Sequence, residues 1–177
     1  HDRLVAAPER LQWIGGPLWS RSHEYDASLC AMVSSGGRLF YIFDEGPTGI
    51  IDKRIPDKWT LIARAAFSGV VLWKRPIEKW QYHLRGFRSG PSDLGRRLVA
   101  VGDRVYVTLG VGAPLCALDA ATGKTLTTYK QTEGTLEVVH DQGTLFVVSG
   151  DLEAQQSAEK AERRGERPGL TKVRSQR

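Results

Sequence analysis

The sequence has few cysteines and no long apolar run, and both shortages exclude whole classes of protein. Cys30 and Cys116 lie far apart and outside any CxxC or other metal-like spacing. Neither a disulfide framework nor a zinc site is expected, and both residues read as buried, unpaired thiols. No stretch approaches the roughly 18 to 20 apolar residues that a membrane-spanning helix needs. The N-terminal HDRLVAAPER has neither an apolar h-region nor an initiator Met, so the true start is expected to be missing or processed away.

What is present suits a folded chain. At 177 residues with 41% hydrophobic content, the chain can bury a sizeable core. The formal net charge of +5 weakly favours anionic partners, because much of the excess sits in an Arg-rich stretch and in the tail.

Self-similarity organises the rest. Three short apolar strands follow Gly-containing turns: Arg38 to Tyr41, Arg104 to Val107 and Thr144 to Val147. Upstream of each is another apolar strand, at Leu29 to Val33, Arg97 to Val101 and Thr135 to Val139. The connections Ser34 to Gly37, Gly102-Asp103 and His140 to Gly143 supply residues that tolerate the positive φ of hairpin turns. Two of the three units continue into a second strand pair. These are Thr60 to Ala63 turning into Val70 to Trp73, and Leu115 to Leu118 turning into Lys124 to Thr127. Each full unit therefore reads as a four-stranded antiparallel blade. Leu39, Val105 and Leu145 are 66 and 40 residues apart, and the shorter spacing matches the roughly 40-residue period of propeller repeats. Insertions at Asp44 to Lys58 and Glu78 to Leu94, rich in Gly, Pro and charge, account for the longer one.

The stretch Ala117-Leu118-Asp119-Ala120-Ala121-Thr122-Gly123 carries a family resemblance. It resembles the Ala-x-Asp-x-x-Thr-Gly segment of the pyrroloquinoline-quinone-type (quinoprotein-like) β-propeller repeat, whose pattern ends in a Trp four residues after the Gly. The first unit supplies the Gly and Trp as Gly69 and Trp73, with Ala65 and Ser68 in place of Asp and Thr, and Thr127 stands where the second unit would have Trp. Asp and Thr can hydrogen-bond the tight turn that Gly allows, and the Trp can dock between blades. The repeated signatures of WD40 and kelch propellers are not found. The resemblance covers about residues 28 to 150. It implies an all-β propeller of about two and a half blades, expected to be a fragment of a larger one, like those of quinoprotein dehydrogenases and of the lipoprotein that serves outer-membrane protein assembly. The expected organisation is a lead-in segment at 1–27, a first blade at 28–77, an Arg/aromatic insert at 78–95, a second blade at 96–131, a third hairpin at 132–150 and a charged insertion or tail at 151–177. A solvated helix is expected from Leu152 to Arg164.

Several residues could carry chemistry. Quinoprotein dehydrogenases bind a quinone with calcium and use a catalytic Asp, often beside adjacent cysteines. This sequence has no adjacent cysteines, and its candidate carboxylates Asp26, Asp44, Glu45, Asp52, Asp57 and Asp103 fall mostly in expected turns. No cofactor and no metal are expected for this chain, and no catalytic residue can be named. His23-Glu24-Tyr25-Asp26 lacks the metalloprotease spacing and reads as a lead-in or channel-facing segment in which His23 could touch a ligand. In the Arg/aromatic insert, Lys79, Arg85 and Arg88 are interleaved with Trp80, Tyr82, His83 and Phe87. Such interleaving suits stacking and anion binding, or else an ordinary loop packed on its own blade. Gly110-Val111-Gly112 is too short for a nucleotide fingerprint. The Asp44 to Gly49 segment reads either as carboxylates near a channel mouth or as an ordinary exposed turn. The expected function is noncatalytic binding or scaffolding within a larger bacterial protein, periplasmic or otherwise extracytoplasmic by the resemblance alone. The expected partners are the missing blades of the same polypeptide and a protein or anionic ligand at the loops, rather than a nucleic acid. The alternatives are a segment of a quinone-dependent alcohol or sugar dehydrogenase, and a polyanion-binding module.

Overall fold

The computed structural model describes residues 11–15, 29–45, 58–77, 94–110 and 112–151. The described residues are nearly all-β, with ten strands in three antiparallel sheets and a single turn of 3-10 helix at Leu94–Arg97. Sheet 1 holds β1 (Leu29–Ser35), β2 (Arg38–Asp44), β3 (Trp59–Ala65) and β4 (Val71–Pro76). Sheet 2 holds β5 (Leu98–Val101), β6 (Arg104–Thr108), β7 (Leu115–Asp119) and β8 (Thr125–Thr128). The third sheet is a hairpin of β9 (Thr135–Asp141) and β10 (Thr144–Ser149). Strands follow chain order in every sheet, and none of the sheets closes on itself among the described residues.

The strands exist where the sequence places them, but most run further. The turn expected over Ser34 to Gly37 tightens to Gly36-Gly37, and that over His140 to Gly143 tightens to Gln142-Gly143. In both, the two central residues have positive φ, between 44° and 82°. This is the backbone twist that a two-residue hairpin demands. One expectation is corrected. Arg97, read as the first residue of a strand, ends the 3-10 turn and is buried where that turn meets β1 and β9. Leu94-Gly95-Arg96-Arg97 has no two-residue alternation to hold it extended, and the turn brings Arg96 to 3.5 Å from Glu137.

Cross-strand pairing fixes which positions are equivalent. Val33 pairs with Phe40, Val99 with Tyr106 and Val139 with Phe146, so these three pairs occupy one place in three sheets. Alternation then gives each sheet a front and a rear face. Phe40, Ile42, Leu61 and Ala63 on the front of sheet 1 pack with Leu98, Val105, Val107, Cys116 and Leu118 on the rear of sheet 2. Tyr106, Leu115 and Ala117 on the front of sheet 2 pack with Val138, Leu145 and Val147 of the hairpin, where Tyr106 also stacks on His140. Consecutive residues of β6 and β7 are therefore buried, and β8, outermost and rich in Thr, is exposed throughout. Cys116 is a free, buried thiol, as expected; the side chain of Cys30 lies outside the described residues.

Thr108 is the odd member of its class. It occupies the position that Ile42 fills in sheet 1, it is fully buried, and its hydroxyl has no hydrogen-bond partner among the described residues. Removing that hydroxyl at constant shape relieves a buried, unsatisfied polar group, a change of about 1 kcal/mol. Thr108→Val is accordingly expected to raise the free energy of unfolding by about 1 kcal/mol in urea titration; equal or lower stability would show that the hydroxyl is satisfied in solution.

Candidate functional site

Two chemically different ends follow from the up-and-down topology. One end carries the tight turns at residues 36–37, 66–70, 102–103, 120–124 and 142–143, and the other carries the longer connections.

At the turn end, the motif residues come together. Asp119 ends β7, and its Oδ1 accepts from the backbone N–H of Ala121 at 3.1 Å, the N–H of Thr122 at 2.7 Å and the Thr122 hydroxyl at 2.7 Å. The Thr122 hydrogen bonds, side chain first, hold the Asp119 carboxyl below the usual carboxylate range. Gly123 follows with a φ of 72°, where its N–H donates to Asp119 O. The turn then receives a ring from the neighbouring sheet. Trp73 of β4 lies over Gly123, so closely that a Cβ there would sit 2.8 Å from two ring carbons. Trp73 Nε1 donates to Ala120 O at 3.0 Å, and Arg75 Nη1 donates to Gly123 O at 2.8 Å. Ala117 is buried at the interface beyond.

Gly69 occupies the same place in sheet 1 and also receives a ring, but from a residue that sequence reasoning missed. Trp13 covers Gly69, its Nε1 donates to Ala66 O at 2.9 Å, and Arg64 Nη1 donates to Gly69 O at 2.6 Å while its guanidinium stands 5.9 Å from the Trp13 ring centre. The signal was available in Leu-Gln-Trp-Ile at 11–14, which has the form of Val-Leu-Trp-Lys at 71–74. Each latch thus joins two units: a Trp from one fits the turn of the next. Thr127, at the position of Trp73 in sheet 2, is exposed.

At the loop end, the two carboxylates Asp44 and Glu45 are drawn into the stem of the connection, while residues 46–49 of that segment lie outside the described residues. Asp44 is buried at the end of β2, and its Oδ1 accepts from the Lys58 N–H at 2.9 Å. The Glu45 N–H donates to Lys58 O at 2.9 Å, which closes the stem of the connection between β2 and β3. Glu45 then accepts from Lys74 Nζ and from the Thr60 hydroxyl. Burial pushes the Glu45 carboxyl up, but the hydrogen bond and charge of Lys74, with Thr60 and Lys58, outweigh it and leave the group below its ordinary value. The arrangement clamps a loop stem.

Other sequence candidates lie outside the described residues: His23, Trp80, Tyr82, Arg85, Arg88, Asp26, Asp52 and Asp57. The connection that carries the Arg/aromatic residues is anchored at Ile77 and Leu94, both at the loop end. Asp103 is exposed in the turn between β5 and β6, and its carbonyl accepts from the Ala120 N–H at 2.9 Å. Among the described residues no group of three or more His, Cys, Asp or Glu is placed to hold a metal ion. No helix among them is long and apolar enough to cross a membrane.

Two measurements check this geometry. Gly123→Ala and Gly143→Ala both force a residue with a Cβ into positive φ, at about 1 kcal/mol, but only the first drives that Cβ into a ring. Gly123→Ala is expected to lose about 1–3 kcal/mol more than Gly143→Ala in chemical denaturation; equal losses would mean that the Trp73 ring moves aside freely. Because the Glu45 carboxyl is depressed, its contribution to stability is present above the ordinary glutamate value of about 4.3 and disappears as pH falls through the lowered one. Carboxyl NMR titration should place its midpoint below that ordinary value, and Lys74→Met should move the midpoint upward.

No protein-family model matches this chain, and no curated protein sequence matches it either.

Proposed function

We propose that the chain is a noncatalytic binding or scaffolding module made of quinoprotein-like β-propeller blades, working within a larger extracytoplasmic bacterial protein. The reading is supported first by the repeat itself. Two four-stranded units have equivalent registers and equivalent Trp latches, and a third hairpin continues the series. The observation that carries the noncatalytic part is the direction of the signature's polar groups. Asp119 and Thr122 bond to each other and to their own turn, so the most polar residues of the repeat hold architecture. Recognition then belongs to the connections at the opposite end, including the one that carries Trp80, Tyr82, Arg85 and Arg88, where a protein or an anionic ligand would be met.

The test is to add pyrroloquinoline quinone and calcium to the full chain, then to measure the cofactor absorbance that survives gel filtration and dye-linked alcohol oxidation. The expected result is neither retained cofactor nor turnover. Retention with turnover would replace the proposal by a quinone-dependent dehydrogenase. Retention on heparin that falls steeply with added salt would identify the ligand class as a polyanion, since release of counterions makes such binding strongly salt-dependent.

A further inference from the structure

The two Trp latches stand at equivalent places, but only one of them has its parent sheet among the described residues. Trp73 is a fourth-strand residue: it leaves β4 of sheet 1 and seats on the turn between β7 and β8 of sheet 2. Trp13 makes the same contact one unit earlier. Its Nε1 donates to Ala66 O, which holds the place of Ala120 O, and its ring covers Gly69, which holds the place of Gly123. Its neighbours keep the pattern, since Leu11-Gln12-Trp13-Ile14 runs in register with Val71-Leu72-Trp73-Lys74 and both Leu11 and Ile14 are exposed, as β8 is throughout. Sheet 1 passes its ring to the sheet that packs on its front. By the same relation, a ring passed to sheet 1 comes from the fourth strand of a unit that packs on its rear.

The rear of sheet 1 has the side chains for such a unit. Where the rear of sheet 2 meets its neighbour through Leu98, Val105 and Val107, the rear of sheet 1 carries Met32, Leu39 and Tyr41. Cover across this face is graded. Ile62 and Thr60 on β3 are 3% and 2% exposed, Leu39 and Tyr41 on β2 are half-buried, and Met32 on β1 is 57% exposed. With a whole sheet behind it, sheet 2 shows no gradient: Cys116, Val107 and Leu98, at the places of Ile62, Tyr41 and Met32, are all buried. The face is also continuous with the latch, because Arg64 donates to Tyr41 Oη at 2.8 Å while standing against the Trp13 ring and Gly69 O. We infer that residues 11–15 are the fourth strand of a further blade of the same polypeptide, and that Met32, Leu39 and Tyr41 receive the first two strands of that blade. In both four-stranded sheets these strands come before the fourth in the chain, so this hairpin precedes residue 11. Its facing side is apolar at the places of Phe40 and Ile42, which sheet 1 turns toward sheet 2. The inference rests on the propeller reading and adds to it the position of one neighbouring blade and the strand by which it is fastened.

Met32 is the single methionine of this sequence, and thioether oxidation follows exposure, so its conversion to the sulfoxide reports on this face. Hydrogen peroxide is added to the 177-residue chain and to the larger polypeptide that contains it, and the Met32 peptide is followed by mass spectrometry. Oxidation should be several-fold slower in the larger polypeptide. Two variants of that polypeptide release the latch from opposite sides: Trp13→Ala removes the ring, and Gly69→Ala places a Cβ 2.5 Å from it. Each should return the Met32 rate toward that of the 177-residue chain, with far-UV circular dichroism confirming that both variants are folded. Equal rates in the two polypeptides overturn the inference, as does a larger polypeptide with no strands ahead of residue 11. Protection that survives both variants overturns it as well, since the cover is then not fastened through residues 11–15. The outcome is separable from that of the proposed function: retained quinone with turnover would leave the Met32 result standing, and an unprotected Met32 would leave the noncatalytic reading standing.

Discussion

Burial of both faces of the middle sheet is the constraint on which the rest of the structure depends. Along β6 and β7, alternate side chains point to opposite neighbours, and both sets are withdrawn from water. A strand in that position needs apolar or small residues at successive places rather than alternate ones, and Val105, Tyr106 and Val107 supply them. Only a few aliphatic side chains contribute per sheet, so stability comes from neighbours and not from any unit by itself. Quasi-repeating architectures share this property: intrinsic unit stability is small and the interface between units carries the sum. Thr108 shows how little slack remains, since a single hydroxyl in that layer finds no acceptor among the described residues.

The Trp latches add direction to this non-directional packing. Apolar burial would tolerate some sliding of one sheet on another, but a ring seated on a glycine fixes the offset. Its indole N–H bonds a carbonyl of the same turn, and an arginine bonds a second one. The two latches use the same acceptors but draw the arginine from different strands, Arg64 from the receiving sheet and Arg75 from the donating one. The requirement is a guanidinium near the glycine carbonyl, and its origin in the chain is free to vary.

Much of the fold was legible because its determinants are local. Glycines at the turns, two-residue alternation in β2 and the Asp119 to Gly123 signature each declare themselves within a few residues. What escaped depends on distant partners. Trp13 looks like any aromatic near a chain end until Gly69 is placed beneath it. The burial of Arg97 follows from β1 and β9 meeting at the 3-10 turn, and no composition rule anticipates a charged residue there. Asp44 and Glu45 resembled turn carboxylates because their partners Lys58, Thr60 and Lys74 lie across an insertion and another strand. The candidate ligand contacts belong to connections, where sequence periodicity carries no positional information.

Among the described residues the series of latches stops at sheet 2, where Thr127 stands in the place of the ring and the hairpin shows no outer turn to receive one. Trp13 fastens residues 11–15 to sheet 1 and Trp73 fastens sheet 1 to sheet 2, but the strand that would pass the next ring forward ends in threonines. The β9–β10 hairpin is therefore joined to sheet 2 by face packing, the Tyr106–His140 stack and the Arg96–Glu137 pair, with no ring seated on a turn among the described residues. Local opening takes the least protected unit first. In mild denaturant the β9–β10 hairpin is expected to open before sheets 1 and 2 part from each other, so loosening has a direction along the chain.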